Sequence, residues 1–427
     1  MPARDTGRAS GLQRQVWLQQ QLAPDSAIYH IVASVRLDGE LDIATLERAL
    51  HTLERSQRVL RTGFEFSGGD VLAFTAEARC RPLEVRQVPA GAPVPAVIRA
   101  AALDFGGAPL DIGAGSPWRY TLLRVSAERH VLLLVFHNIT VDGLSVHLLV
   151  DLLARLYTEG ARAGPVADRT VLAARPSRPS VSWREMFRGF PGATVLPGMT
   201  SEAGEDDFRG WAREVRYPAV TAGRLRELAA RTRATPQAIV LSCVVRQVAL
   251  SAGTADVVLG VPVSDRGSGG IRPDALGVFA GDVPVRFTLR RPGSPVESLL
   301  DVRQRMIEVL SRRSADPEAI WRDLRAVEPG FVGRAFDISF GWWSPGPIAR
   351  FAALESRWEL EFGGHAEPAL VVQLGTPEGE LRGRLRGRCG RRGSFDADAF
   401  AAGVGDRLGE LLSRRDGSAD GEPGRRR

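Results

Sequence analysis

The chain contains no lysine, so its positive charge comes from arginine alone. Its 56 basic residues exceed its 50 acidic ones and give a formal net charge of +6. Complete replacement of lysine fits a coding bias better than selection for phosphate binding. Much of the excess lies in the segment GRCGRR and in the terminal GRRR, which indicates a solvated basic surface. The alternative is a face that docks an acidic partner.

Several other features are scarce or missing. The three cysteines are widely spaced and form neither a disulfide framework nor a metal-binding cluster, which indicates a reducing cytoplasm and no metal site. No apolar run reaches the roughly 18 residues of a membrane-spanning helix. The opening MPARDTGRAS lacks the apolar core of a secretory signal. Zinc-finger spacings and basic residues interleaved with aromatics are missing too, so we expect no nucleic-acid partner.

The 427 residues are enough for two lobes. WRYTLLRV, the polar SAER and HVLLLVFHN predict a β-hairpin. GLSVHLLVDLLARLY predicts an amphipathic helix against that sheet. In the second half, Thr235 followed by Pro236 is typical of a helix start. We predict an N-terminal lobe at 1–175, an interlobe connection at 176–210, a C-terminal lobe at 211–415 and a disordered basic tail at 416–427.

The stretch VFHNITVDGLS, residues 135–145, raises the main chemical question. It follows an apolar strand and ends in a turn at Asp142 and Gly143. Neighbouring strand residues point to opposite faces, so Asn138 and His137 face opposite ways. If Asn138 points into a cleft, His137 is a structural core residue unless a β-bulge turns it round. Asn138 cannot act as a base, but it can donate and accept hydrogen bonds.

Several stretches, taken in order, resemble the condensation domains of nonribosomal peptide synthetases, which belong with the chloramphenicol-acetyltransferase-like acyltransferases. The similar stretches are SGLQRQVWL, VLRTGF, HNITVDGLS, DVVLGVPVSDR, LGVFAGDVPVRF and GRAFDISF. HNITVDG is similar to the signature His-His-x-x-x-Asp-Gly, with Asn138 in place of the second histidine. Gly281 stands where the family usually has Asn, and Ser-Gln-Arg at 56–58 replaces the usual Arg-His-Glu.

The resemblance implies an α/β (α+β) fold of two chloramphenicol-acetyltransferase-like lobes, arranged as a V-shaped pseudo-dimer with a tunnel between them. Donor and acceptor would enter from opposite faces. The donor would be presented on the phosphopantetheine arm of an acyl or peptidyl carrier protein, and the acceptor would be a small-molecule amine or a second carrier. No bound cofactor and no membrane association are expected. Because the chain carries no adenylation or carrier segment, we expect a free-standing, trans-acting monomer.

The resemblance also assigns site residues. The candidate catalytic residues are Asn138, Asp142 and His137. In relatives the signature aspartate pairs with the arginine of the Leu-Arg-Thr motif, which predicts a structural Asp142–Arg61 salt bridge beside Gly143. The residues expected along the tunnel or at substrate are Ser145, Trp17, His30, Gly277, Phe279, Trp342 and Trp343. Helix capping is the alternative for Ser145, and packing is the alternative for His30 and the paired tryptophans. We expect His147 at the surface or between the lobes, and His365 on a solvated loop.

Three functions remain open from the sequence. The first is an amide-forming condensation enzyme that works by positioning, with Asn138 orienting the amine or holding the thioester oxyanion. The second is a non-catalytic platform that recruits carriers or tailoring enzymes. The third is a tunnel put to other chemistry, such as cyclisation. A general base contributes roughly 10²–10⁴-fold, whereas orientation can lower a barrier by about 7–11 kcal/mol. Loss of the histidine is therefore compatible with acyl transfer to an amine.

Overall fold

The computed structural model describes residues 6–89, 91–171, 182–199, 208–267, 270–312, 316–331, 334–343, 348 and 350–413. The predicted tail at 416–427 lies outside the described residues, as do residues 176–181 and 200–207 of the predicted interlobe connection at 176–210.

The fold contains the following strands and helices. The strands are β1 (Thr6–Arg8), β2 (His30–Asp38), β3 (Thr62–Ser67), β4 (Asp70–Thr75), β5 (Val85–Gln87), β6 (Trp118–Arg124), β7 (Arg129–His137), β8 (Gly210–Thr221), β9 (Asp256–Ser264), β10 (Ala280–Thr288), β11 (Ile338–Trp342), β12 (Glu355–Glu361), β13 (Leu370–Gly375) and β14 (Glu380–Arg388). The helices are α1 (Gly11–Leu22), α2 (Ile43–Ser56), α3 (Val94–Gly107), α4 (Gly143–Glu159), α5 (Arg184–Phe187), α6 (Ala222–Thr232), α7 (Pro236–Ala252), α8 (Pro295–Arg312), α9 (Pro317–Val327) and α10 (Ala397–Ser413).

Five strands form the central sheet of the first lobe, in the order β12-β2-β7-β6-β5. The predicted hairpin is present as the antiparallel pair β6 and β7. Alternation sorts the side chains of β7: Leu134 and Phe136 pack with α2 and α4, whereas Leu133 packs with α3 on the other face. Since helices cover both faces, β7 is buried along almost its whole length and holds the turn that follows it in a fixed place.

Helix α1 had no clear pattern in the sequence, yet it forms part of the site. The Ser10 hydroxyl accepts a hydrogen bond from the Gln13 backbone N–H, and the Gln13 side chain accepts one from the Ser10 backbone N–H. This reciprocal capping box satisfies two backbone donors at the helix start. The Gln13 Nε2 also donates to the Ile139 carbonyl at 3.2 Å, which ties α1 to the signature turn.

The second lobe is built on a six-stranded sheet in the order β10-β9-β11-β13-β14-β8. Helix α7 begins as predicted, because the Thr235 hydroxyl accepts from the backbone N–H of Ala238 at 3.1 Å and Pro236 occupies the first turn. Along β14, Leu381 and Leu385 are buried in the core. Side chains at alternate positions, including the arginines of RGRLRGR, therefore lie on the opposite face of the sheet.

The structure corrects the predicted division into lobes at two places. Strand β12 falls inside the range assigned to the C-terminal lobe, yet it pairs antiparallel with β2 of the first lobe, with Trp358 opposite Val35. Residues 182–199 of the predicted connection pack into the second-lobe core through side chains such as those of Trp183 and Phe187. Both errors arise because pairing and packing between distant segments leave no local pattern in the sequence.

Two further observations concern membranes and metals. None of the helices among the described residues is long and apolar enough to cross a bilayer. Within that same part of the chain, no three or more His, Cys, Asp or Glu side chains are grouped to hold a metal ion. Cys80, Cys243 and Cys389 are free thiols.

Candidate functional site

The signature turn follows β7 and presents Asn138 to a space between the lobes. The backbone N–H of Asn138 donates to the Tyr29 carbonyl at 2.7 Å, which fixes the start of the turn. The Asn138 side-chain Nδ2 donates to the Val141 carbonyl at 2.9 Å. Because that carbonyl can only accept, the amide nitrogen must face it, and Oδ1 is left to accept a hydrogen bond from a substrate.

His137 lies in the core, on the face opposite Asn138, as strand alternation predicts. Only 1% of its surface is exposed. Its Nδ1 accepts from the Ile139 backbone N–H at 3.1 Å, so Nε2 carries the proton and lies 3.3 Å from the Gln20 Oε1. Burial, and then the neighbouring His30, lower the pKa of His137 to about 3. This geometry corrects its inclusion among the catalytic candidates.

Asp142 pairs with Arg266 and not with Arg61, which corrects the predicted salt bridge. The Arg266 guanidinium, from the loop after β9, donates to both carboxylate oxygens of Asp142 at 2.6 and 2.8 Å. Both side chains are buried, at 6% and 4% exposure. Arg61 instead donates to backbone carbonyls of its own lobe, among them those of Glu54 and Ala76. The ion pair therefore joins the two lobes, whereas Arg61 stabilises one of them.

Three residues expected along the tunnel belong to this ion-pair network. The Ser145 hydroxyl donates to the Gly277 carbonyl at 2.8 Å and accepts from the Gly277 N–H and from Arg266. The Phe279 N–H donates to Asp142, and its ring lies under the Arg266 guanidinium. We call these five residues the interlobe latch. Asp142 also caps α4 through the Ser145 N–H, so the predicted cap is the aspartate and not the serine.

A cavity of about 640 Å³ lies between the lobes beside the latch. Its first-lobe wall consists of α1, residues 28–31 and the signature turn, including Asn138 and the edge of Asp142. Its second-lobe wall is formed by side chains of β9, β10, β11, β13 and β14. One face of the six-stranded sheet thus faces the signature turn across a cleft, which is a usual form of ligand site.

Three predicted aromatic and histidine positions line this cavity. His30 does so with its Nδ1 donating to the Gly106 carbonyl at 2.7 Å. Burial lowers the pKa of His30 to about 4, so the ring is neutral at physiological pH. Trp343 lines the cavity as predicted, and His365, expected on a solvated loop, lines it as well.

Three other predicted residues lie elsewhere. Trp17 stacks on Phe66 with ring centroids 5.7 Å apart, in a small cluster of the first lobe. Trp342 lines a separate cavity of about 340 Å³ beside α6 and α7. His147, expected at the surface or between the lobes, packs against Trp358 of the first-lobe sheet, 5.3 Å from ring to ring. Trp17 and Trp342 are therefore corrected from tunnel residues to packing residues.

Trp343 also separates the cavity from a second one of about 510 Å³. The two cavities share three lining residues, Trp343, Leu360 and Gln373. The Trp343 ring stands edge-on to Trp358 at 5.5 Å. A Cβ on Gly143 would lie 3.3 Å from the Trp343 ring, so the signature glycine leaves room for the indole. We call Trp343, Leu360 and Gln373 the partition.

Two charged residues in the cavity were missed by the sequence analysis. Asp282 on β10 lines the cavity, and its side chain is accessible from the lumen between the two lobes. Burial, with Glu367 nearby, raises the pKa of Asp282 to about 6, although Ser339 and Arg386 act to lower it. Arg386 on β14 is the second residue, and burial lowers its pKa to about 10. The alternation of side chains along each strand could have indicated them. Both residues occupy positions that point to the face opposite the buried apolar side chains of their strand.

The sequence profile of the Condensation domain family matches residues 4–330. The chain belongs to the condensation-domain family. This condensation domain is 30% identical over 349 residues to phosphinothricin tripeptide synthetase PhsC from Streptomyces viridochromogenes, which is 77% of this chain and 32% of PhsC. The chain therefore spans about a third of that relative's length.

Solved structures agree with this assignment. The first condensation domain of the CDA synthetase superposes with a TM-score of 0.78 at 22% identity, over 96% of both chains. The X-domain from teicoplanin biosynthesis superposes with a TM-score of 0.73 at 23% identity, over 96% of this condensation domain and 95% of the X-domain. These neighbours confirm the predicted chloramphenicol-acetyltransferase-like α/β fold.

Proposed function

We propose that this condensation domain acts as an acyltransferase in natural-product biosynthesis. It joins an acyl thioester, held on a carrier protein, to an amine acceptor, and it does so by positioning the two reactants. The observation that carries the proposal is the orientation and hydrogen bonding of the Asn138 side chain. Its side chain reaches the cavity, its Nδ2 is bound to Val141, and its Oδ1 is left to accept an N–H.

The orientation of Asn138 favours one of its two predicted roles. A thioester oxyanion needs a hydrogen-bond donor, whereas an attacking amine offers N–H groups that need an acceptor. The free Oδ1 suits the amine. The amine nitrogen would attack the carbonyl carbon, the C–S bond would break, and the amine proton would pass to the departing thiolate through solvent. Asn138 orients the nucleophile in this scheme and transfers no proton.

The missing base limits which acceptors can react. An amine is already a nucleophile in its neutral form, so alignment alone can supply much of the rate. An alcohol must lose its proton as it attacks, and a positioned base contributes roughly 10²–10⁴-fold to such steps. We therefore expect amides to form in preference to esters. Comparable yields from a matched amine and alcohol would contradict the proposal.

The direct test incubates the protein with a donor-loaded carrier protein and a matched amine and alcohol, and follows the products by intact mass. We expect the amide product with the wild type. Asn138→Ala should slow its formation about tenfold, the effect of losing one hydrogen bond of roughly 1.4 kcal/mol. Asp398→Asn, at an exposed ion pair on α10, serves as the control and should not change the rate. Transfer that is unchanged in Asn138→Ala would remove the role assigned to this side chain.

The partition favours a second candidate, a platform that binds carriers or enzymes without turnover. Trp343 and its two neighbours divide the space through which donor and acceptor would meet. The teicoplanin X-domain, a fold neighbour, has also been solved in complex with OxyB. Carrier binding without any change in mass would support the platform. A new product mass without transfer to an acceptor would point to other chemistry, such as cyclisation.

A further inference from the structure

The carboxylates of the Asn138 cavity differ in whether they have a cation beside them. Asp142 is paired with Arg266 in the latch. Glu367 is paired with Arg334 at 3.0 Å. Among the residues that the structure describes, Asp282 has no basic side chain within ion-pair distance. A carboxylate inside a cleft loses part of its hydration, so a ligand cation placed beside it would be favourable.

Arg386 lies on the same sheet face, and its charge acts on Asp282 and lowers the pKa of that carboxyl. Strands β9, β11 and β13 lie between their two strands, and the two side chains form no ion pair among those of the described residues. The Arg386 Nε is itself buried without a hydrogen-bond partner among the described residues.

We propose that Asp282 binds a cationic nitrogen on the substrate that occupies the Asn138 cavity. This inference rests on the proposed function in one respect, which is that the reacting amine lies at Asn138. Asp282 follows Phe279 by three residues, and Phe279 contacts Asp142 in the latch. At about 3.3 Å per strand residue, Asp282 is roughly 10 Å from the signature turn. The substrate therefore carries a second, basic group at about that distance from the reacting nitrogen.

The surroundings of Asp282 suit an organic cation. The other charged or titratable groups of the cavity are Glu367, Arg334 and His365 near the start of β13, Arg386 on β14, and Tyr29 and His30 in the first lobe. Tyr29 and His30 are neutral at physiological pH, since burial raises the pKa of the phenol and lowers that of the imidazole. The negative field of Glu367 adds to that of Asp282. A cation bound there would regain the interaction that the carboxylate lacks.

Binding provides a test that does not depend on turnover. Isothermal titration compares n-hexylamine, a cation, with the neutral isostere n-hexanol at a pH of about 8, where Asp282 is ionised. We expect the amine to bind at least about tenfold more tightly than the alcohol, as for one charge-assisted hydrogen bond. The preference should disappear in Asp282→Asn and persist in Asp398→Asn. It should also weaken towards a pH of about 5, because Asp282 becomes protonated as the pH falls through about 6.

Three results would overturn the inference: equal binding of both probes by the wild type, an unchanged preference in Asp282→Asn, or a preference lost in Glu367→Gln and kept in Asp282→Asn. A second arm compares hexamethylenediamine with n-heptylamine as acyl acceptors. A lower KM for the diamine, dependent on Asp282, supports the spacing of the two nitrogens. If no acyl transfer occurs but the binding preference depends on Asp282, the proposed function fails and the cation site stands.

Discussion

The interlobe latch and the cavity wall both offer an aspartate and an arginine, with opposite outcomes. In the latch, Asp142 and Arg266 meet at 2.6 Å, and Ser145 and the Phe279 N–H add hydrogen bonds to the pair. On the wall, Asp282 and Arg386 are on one sheet face with three strands between them. The latch residues are bonded mainly to one another. The wall keeps a carboxylate and a guanidinium that form no ion pair with each other and line the cavity.

The two regions have different effects on stability. A buried ion pair with complete hydrogen bonding is costly to break from one side, since the remaining charge is left without a partner. A charge that lines a cavity without an ion-pair partner costs stability in the free protein, and such charges are concentrated at binding sites. The latch is therefore interpreted as structure and the wall as recognition, although the signature motif belongs to the former.

The largest effect is expected from Arg266→Ala. It leaves the Asp142 carboxylate buried and unpaired, so we expect the free energy of unfolding to fall by about 3–5 kcal/mol. Urea denaturation followed by circular dichroism measures this change. The matched control is Asp398→Ala, which breaks the exposed ion pair with Arg213 and should cost no more than about 1 kcal/mol. Similar small losses in both variants would show that the latch does not hold the lobes together.

A double-mutant cycle separates the observed pair from the one expected by resemblance. Asp142→Ala and Arg266→Ala should be strongly non-additive, because each removes the same interaction. Asp142→Ala and Arg61→Ala should add to within about 0.5 kcal/mol, since Arg61 bonds to carbonyls of its own lobe. Coupling in the second cycle would restore the Asp142–Arg61 pair.

Local features of the sequence were sufficient for much of the fold. The hairpin of β6 and β7 was predicted from two apolar runs and a polar turn, and the start of α7 from Thr235 and Pro236. Strand alternation predicted that His137 and Asn138 face opposite ways, and therefore that His137 lies in the core if Asn138 faces the cleft. Each of these predictions depends on neighbours within a few residues. In such cases the local backbone geometry and the spacing of apolar residues are enough to determine the secondary structure and which face is buried.

The errors concern contacts between distant segments. The resemblance predicted that Asp142 pairs with Arg61 of VLRTGF, whereas its partner is Arg266, at the end of DVVLGVPVSDR. The pairing of β12 with β2 joins segments more than 300 residues apart, as in Trp358 opposite Val35. Asp282 and Arg386 looked like ordinary solvent-facing strand residues, because a cavity lumen and bulk water favour the same alternation. Only the assembled lobes distinguish the two environments.

Trp343→Ala tests whether the Trp343 side chain separates the Asn138 cavity from the second cavity. Removing the indole should join the two cavities on either side of the partition. A long acyl-pantetheine thioester should then bind about tenfold more tightly, as two more methylenes at about 0.8 kcal/mol each become buried. Acetyl-pantetheine should bind as before. Isothermal titration of both thioesters measures this, and equal gains for the two would show that Trp343 does not act as a partition.

Asn138 connects the latch region with the cavity, and its contribution to stability should be smaller. Asn138→Ala removes the Nδ2 bond to the Val141 carbonyl, so we expect a loss of about 1 kcal/mol in the free energy of unfolding. Asn138→Asp should lose more, because a carboxylate cannot donate to that carbonyl and repels it. Urea denaturation ranks the three proteins. Equal stability of the aspartate and asparagine forms would mean that the Val141 bond contributes nothing.

The smallest effect is expected at Asp282, and it should be a gain. Folding raises the pKa of Asp282 from 3.8 to about 6, so the folded state binds more protons than the unfolded state in that range. The wild type therefore loses stability as the pH rises through this range, and Asp282→Asn does not. At a pH of about 8 the variant should be more stable by at most about 1 kcal/mol, once screening by cavity water is allowed for. At a pH of about 5 the gain should shrink, because the wild-type side chain is then largely neutral as well. Thermal unfolding at both pH values, beside Asp398→Asn, measures the difference. A variant that is less stable than the wild type at the higher pH would mean that other groups of the protein already stabilise the Asp282 carboxylate. In that case no ligand cation is needed beside it.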